Sequence, residues 1–187
     1  MDAEKNGITQ IAAQIVVDGT EVQRLDYKVR PFKGQIISTE ALEVTGTSIE
    51  ELRSFPEPQL VYSKLSEELG RYVKKFDKTD KFMFIAYNSM FDNTFLRKFW
   101  ENNGDKYFGS WFWYPPICVM QSAMAVLAPV RHQMPNFKLG TVANFLGLIS
   151  EEEATKLHDA GMDIELAKRI YYYLVDVGAI KADVEAR

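Results

Sequence analysis

Lys81-Phe82-Met83-Phe84-Ile85-Ala86-Tyr87-Asn88-Ser89-Met90-Phe91-Asp92-Asn93-Thr94-Phe95-Leu96 decides the fold of this chain. Phe82 to Ala86 carries no charge and is rich in strand formers, so residues 81–87 read as an interior strand bounded by Lys81 and Asn88. From Asp92 the apolar residues Phe95, Leu96 and Phe99 recur at helical spacing, and an aspartate in a first helical turn is favoured by the dipole. A helix therefore opens near Asp92, placing one carboxylate just past the end of a buried strand. Alone, that is a capping aspartate. A second segment, His158-Asp159-Ala160-Gly161-Met162-Asp163, puts a histidine and a carboxylate directly before a long amphipathic helix. The two segments together point to a metal-dependent nuclease.

Upstream, residues 8–17 are apolar and β-branched, Asp18-Gly19 is a two-residue hairpin signal, and residues 22–29 resume with Leu25, Tyr27 and Val29 alternating. An antiparallel hairpin is expected there. Short helical pieces are predicted over 38–44 and 48–52, and Pro56 and Pro58 introduce a longer helix. On that helix Leu60, Val61, Leu65, Leu69 and Val73 share one face, with Lys64, Glu67, Glu68, Arg71 and Lys74 opposite. The helix from Asp92 stops at Asn102-Asn103-Gly104. Residues 107–113 are aromatic and fit either a strand or a packed loop. Pro115 and Pro116 interrupt, and residues 117–127 include a helix ending before Pro129. Residues 131–136 read as loop, 139–146 as a short helix closed by Gly147, and 163–182 as the last helix, burying Leu166, Ile170, Leu174 and Val177. Early strands, alternating helix and strand, then helices describe an α/β fold with a mixed sheet flanked by helices.

A chain of 187 residues accommodates one domain with a full core, so a single domain over 1–187 is expected. The net charge of −4 argues against non-specific coating of nucleic acid but not against a local basic groove, because phosphate affinity follows where Lys and Arg sit. The lone cysteine, Cys118, has no disulfide partner, which with the absence of a leader or long apolar run predicts a cytoplasmic protein with no membrane partner. Surrounded by apolar residues, Cys118 is expected to be an inert buried thiol.

Phosphodiester hydrolysis needs an activated water and neutralised charge on the phosphate and leaving oxygens. Two divalent ions ~3.5–4 Å apart supply both, and carboxylate oxygens suit Mg²⁺ or Mn²⁺. A nearby histidine can take the proton, its pKa lying near neutrality. Asp92, Asp163 and His158 have these chemistries.

These stretches resemble a known family. Residues 87–96, Tyr-Asn-Ser-Met-Phe-Asp-Asn-Thr-Phe-Leu, resemble the second motif of the DEDD exonucleases, and His158 to Asp163 resembles the third motif in its histidine-containing DEDDh form. Residues 37–46 and 136–147 are similar to the family's connecting segments, and the order is the family's from Ile8 to about Val177. The resemblance, to the DnaQ-like 3′-to-5′ exonucleases, implies a ribonuclease H-like fold and removal of nucleotides from the 3′ ends of single-stranded DNA or RNA. It implies two Mg²⁺ or Mn²⁺ ions, Asp92 and Asp163 as metal ligands, His158 as general base, Asn88 and Phe91 as substrate contacts, and a DNA polymerase as a partner. Other ribonuclease H-like enzymes, such as endonucleases and transposases, fit less well because their last carboxylates are spaced differently.

One departure matters. The family's first motif, Asp-x-Glu followed by Thr and a Gly-containing loop, lies on an apolar strand ahead of the hairpin, and this chain starts too late to hold it. The expectation is a fold missing its first strand, with two of four acidic ligands absent and impaired activity, through truncation or natural degeneracy. A degenerate chain would be a non-catalytic nucleic-acid-binding or scaffold module. Asp2-Ala3-Glu4 has the right letters, but no apolar residues precede it and no Thr-and-Gly loop follows, so it reads as linker. Asp159, His132 and Lys138 read as loop residues. The aromatic run Trp111 to Tyr114 could stack bases, with core packing the preferred reading.

Overall fold

The computed structural model describes residues 2–39, 42, 46–155, 157 and 159–185, the side chains being described up to 177. Packing divides the chain into two compact units, Met1–Phe84 with Met90–Pro116, and Ile85–Ser89 with Ile117–Arg187. Each is built around its own apolar core.

In the first unit, β1 (Gln10–Val17) pairs antiparallel with β2 (Thr20–Lys28). Asp18 and Gly19 make the turn at φ 49° and 78°, the two positive values that a tight hairpin of this hand requires. Side-chain alternation sends Ile11 and Ile15 of β1 and Leu25 of β2 into the core, with Ala13 opposite Leu25. Helix α1 (Ile49–Ser54) is capped by the Ser48 side chain, which accepts from the Glu51 amide. Helix α2 (Pro58–Leu69) begins with proline at its first position and buries Pro58, Val61, Leu65 and Leu69. Leu60, expected on that face, is instead 50% exposed: one residue from Val61, it is turned by about 100° around a 3.6-residue helix. Helix α3 (Ser89–Asn102) adds Phe99 and Trp100 to the core. It starts three residues before Asp92, which falls in its first turn as the sequence predicts. The stretch 107–113 is neither a regular strand nor a plain loop: a 3-10 turn spans Phe108–Ser110, and Phe112 forms an isolated parallel bridge to Phe82.

The expected interior strand 81–87 is much reduced. Phe82 bridges Phe112, and only β3 (Ile85–Ala86) forms a ladder, parallel to β4 (Ile117–Cys118). The reason lies in the partner. Phe82 pairs with a residue 30 positions on, Ile85 with one 32 positions on, so two extra residues must be absorbed between 112 and 117. Pro115 and Pro116 fall there, and neither has an N–H to donate to a ladder. Met83 is left 50% exposed and Ile85 39%. The antiparallel and parallel pairs accordingly form two separate two-stranded sheets.

In the second unit, α4 (Val119–Leu127) follows β4 directly and runs into a 3-10 stretch, Ala128–Gln133, that occupies part of the expected loop 131–136. Helix α5 (Leu139–Phe145) ends at Gly147, whose φ of 68° suits glycine. Helix α6 (Glu151–Ala154) opens with a reciprocal cap in which the Ser150 hydroxyl accepts from the Glu153 amide and the Glu153 carboxylate accepts from the Ser150 amide. Helix α7 (Ala160–Glu185) buries Leu166, Ile170 and Leu174 against Val119, Ala123 and Leu127 of α4 and Val142 and Ala143 of α5. Val177, expected on that stripe, is only half-buried. The helical piece predicted over 38–44 lies partly outside the described residues. Among the described residues no helix is long and apolar enough to cross a membrane.

Candidate functional site

β3 delivers the chain to Tyr87, which anchors the end of the strand three ways. Its carbonyl accepts from the Met120 amide at 2.9 Å and from the Cys118 thiol at 3.3 Å, and its hydroxyl donates to the Phe137 carbonyl at 2.7 Å. Burial pushes the Tyr87 hydroxyl well above its ordinary range, with the Cys118 charge acting in the same direction, so it stays a donor. Cys118 is the buried free thiol the sequence predicts. Asn88 then lies exposed, Ser89 fully buried, and α3 begins.

Asp92 sits in the first turn of α3 and makes no side-chain hydrogen bond or ion pair to another described residue. By area the residue is exposed, yet its carboxyl is crowded by protein. That desolvation, opposed only by a backbone N–H, raises the carboxyl to about 6. Solvent reaches the rest of the Asp92 side chain and tempers the effect. Beside it, Phe91 is 42% exposed and its ring lies 4.6 Å from that of Phe95 at 40°.

Asp163 falls in the first turn of α7 and is half-buried. Asp159 starts that helix: its side chain accepts from the Met162 amide and its carbonyl from the Asp163 amide. Asp159, read from the sequence as a loop residue, thus caps α7. Asp92 belongs to the first unit and Asp163 to the second. His158 lies outside the described residues. Among the described residues no three acidic, histidine or cysteine side chains group to hold an ion.

Asp2-Ala3-Glu4 forms a surface turn, not a strand. The Asp2 carboxylate accepts from the Glu4 amide and its carbonyl from the Lys5 and Asn6 amides, while Glu4 reaches Lys98 at 2.6 Å. His132 and Lys138 are exposed as expected; Lys138 lies just ahead of α5, but His132 falls in the 3-10 stretch rather than in a loop. In the aromatic run the expectation divides: Trp111 is buried, but Trp113 is 42% exposed and Tyr114 69%.

The sequence reading missed one polar cluster. Asp105, buried, accepts from Lys75 at 2.8 Å, from the Tyr62 hydroxyl at 2.7 Å and from the Tyr107 amide at 2.7 Å. Burial alone would raise its carboxyl, but Lys75, Tyr62 and Tyr107 outweigh that and hold it below the usual carboxylate range. No local motif marks this cluster, because its members come from three separate segments.

This architecture is of the α/β, ribonuclease H-like class. Among solved structures, exonuclease I shares the fold, with a TM-score of 0.63 at 15% identity over 87% of this chain. The chain spans only 35% of the length of exonuclease I. No protein-family model matches the sequence, and no curated protein matches it.

Proposed function

We propose that the chain is a 3′-to-5′ exonuclease domain acting on single-stranded DNA or RNA ends, with Asp92 and Asp163 as metal ligands and His158 as general base. The observation that carries this reading is Asp92. An unpaired carboxylate pushed up to about 6 in the first turn of a helix in an exonuclease-like fold opposes folding, as expected of a group kept for a ligand. Its oxygen chemistry suits Mg²⁺ or Mn²⁺. Phe91 offers its open face to a terminal base, and Asn88 supplies amide hydrogen bonding beside it.

The turn at Asp2-Ala3-Glu4, with Glu4 engaged by Lys98, does not supply the strand-borne Asp-x-Glu pair. Activity of this chain is therefore expected to be low, since losing a single charge-stabilising group can slow an enzyme by roughly 10²–10³. The same observation favours a second reading, a module that binds strand ends without cutting them.

A 5′-labelled single strand incubated with Mn²⁺ separates these readings. Stepwise shortening from the 3′ end that disappears in both Asp92→Asn and Asp163→Asn supports the exonuclease. Binding without shortening supports the second reading. Cuts within a circular single strand, or shortening indifferent to both substitutions, would defeat the proposal.

A further inference from the structure

A different part of the first unit carries exposed aromatic and basic side chains that nothing in the candidate active site uses. Phe76 is 61% exposed and has a φ of 75°, a left-handed conformation that a bulky side chain rarely adopts. Strain and exposure in one aromatic both work against folding, and strain of this kind concentrates at functional positions. Its ring meets that of Tyr107, itself 62% exposed, at 5.3 Å and 78°.

The pair is held in place rather than left loose. Asp105 accepts from the Tyr107 amide and pairs with Lys75, whose ammonium lies 5.2 Å from the centre of the Phe76 ring. One buried carboxylate thereby positions both supports of the ring corner.

The surrounding charge is basic although the chain is acidic. Residues 74–81 hold four lysines against two aspartates, +2 in a chain of −4. Both aspartates are turned to backbone donors: Asp77 accepts from the Thr79 amide and Asp80 from the Lys74 amide. Lys74, Lys78 and Lys106 are exposed and make no ion pair among the described residues. Exposed aromatic rings beside unpaired cations match a polyanion with planar groups to stack. A closed duplex keeps its bases within the stack, so a single strand is the fitting form.

We infer that this face binds a single-stranded nucleic acid, Phe76 and Tyr107 stacking on its bases and Lys74, Lys78 and Lys106 meeting its phosphates. The inference rests on the exonuclease reading for the identity of the substrate and adds a second contact on it. The face adjoins the C-terminal end of α3, whereas Asp92 lies in the first turn. Ten residues of α3 separate Asp92 from Asn102, about 15 Å, or a little over four nucleotides of stacked strand at ~3.4 Å each. The face would grip a strand whose 3′ end is at Asp92, and strands of about four nucleotides or fewer would not reach it.

Fluorescence anisotropy of the full chain with labelled dT20, dT4 and a 20-base-pair duplex in EDTA tests this without cleavage. Phe76→Gly removes the ring and the strain together, so it should weaken dT20 binding roughly tenfold while the melting temperature holds or rises. Tyr107→Ala should do likewise for binding. Neither should change dT4 binding. Replacing Lys74, Lys78 and Lys106 by Gln should lower the slope of log Kd against log salt by about 2, roughly 0.7 for each phosphate contact.

Parental affinity for dT20 in a folded Phe76→Gly chain would overturn the inference. So would an equal loss on dT4 and dT20, a preference for the duplex, or self-association of the parent through this face in place of oligonucleotide binding. If dT20 binding vanishes in Asp92→Asn but not in Phe76→Gly, this face is excluded and the active-site reading stands. The reverse pattern upholds this face and counts against Asp92 as the place where strands bind.

Discussion

The Glu4 carboxylate lies 2.6 Å from the Lys98 ammonium, six residues beyond Asp92 on α3. Glu4 is thereby engaged with a cation on the helix surface, and the Lys98 amine is held above its ordinary range chiefly by that hydrogen bond. A carboxylate so occupied is a poor candidate for an ion shared with Asp92. Glu4→Gln and Asp2→Asn are expected to leave any Mn²⁺-dependent shortening of a single strand unchanged, and to move the melting temperature little, as for other exposed pairs. Activity that disappears with either substitution would show that the Asp2-Ala3-Glu4 turn stands in for a first motif.

Asp92 gives a pH signature with a definite sign. Its carboxyl is raised from 3.8 to about 6 in the folded chain, so the folded state binds the proton more tightly than the unfolded one. Its contribution to stability is therefore greatest below pH ~4, falls as pH rises toward about 6, and is level above that. Asp92→Asn removes the charge and should stabilise the protein at pH 7.5 but not at pH 4. Allowing for the solvent that reaches the group, the gain is about 1 kcal/mol, or about 2–4 °C in a chain of this size. Melting curves at the two pH values check it; a destabilised Asp92→Asn at pH 7.5 would mean that the carboxylate is satisfied. If Asp92 ligates Mn²⁺, calorimetric affinity should weaken as pH drops below about 6.

Asp105 behaves in the opposite way. Its carboxyl is held low, so it contributes stability above the unfolded value near 4 that is lost as pH falls further. Asp105→Asn leaves Lys75 without its partner and weakens the hydrogen bonds to Tyr62 and Tyr107, with an expected loss of about 2–4 kcal/mol at pH 7. Urea unfolding at pH 7 and pH 3 should show that loss shrinking on acidification. Equal losses at both values would argue that shape, not charge, is what Asp105 contributes.

The second unit depends on the stripe of α7. Leu166 is fully buried between α4 and α5, so Leu166→Ala should destabilise by about 2–5 kcal/mol through lost apolar contact and the cavity left behind. The shift of the urea midpoint reads this directly. A change below 1 kcal/mol would mean that neighbouring side chains collapse into the space.

Local chemistry made much of this legible in the sequence. Asp18-Gly19 predicts the hairpin because only a few residues tolerate two successive positive φ values, and Ile11, Ile15 and Leu25 alternate as a half-buried pair must. Leu166, Ile170 and Leu174 were readable from helical period alone. The strand at 82–86 was overestimated because an apolar run reports burial only when something covers both faces, and its length depends on a partner interrupted by Pro115 and Pro116. For the site, the sequence indicated where Asp92 and Asp163 sit relative to their helices to within one turn, but not the crowding that raises Asp92. Phe76 was invisible. Its significance comes from a backbone angle and from Tyr107, 31 residues away, and no periodic pattern links the two.

The second unit is discontinuous in sequence: β3, with Tyr87, is set between two segments of the first, and its partners in β4 arrive only 32 residues later. A fragment cut to begin at Ile117 would lack the parallel partner of β4, the donor to the Phe137 carbonyl and the acceptor of the Met120 amide. During synthesis the same order applies in time. β3 emerges before anything it pairs with exists, and the ribosome must deliver all of α3 and the aromatic segment behind it before the ladder can close. An expression boundary that respects this unit must therefore carry residues 85–89 along with the C-terminal segment, and circular permutants opened between 89 and 117 would separate the two halves of one small sheet to opposite ends of the chain.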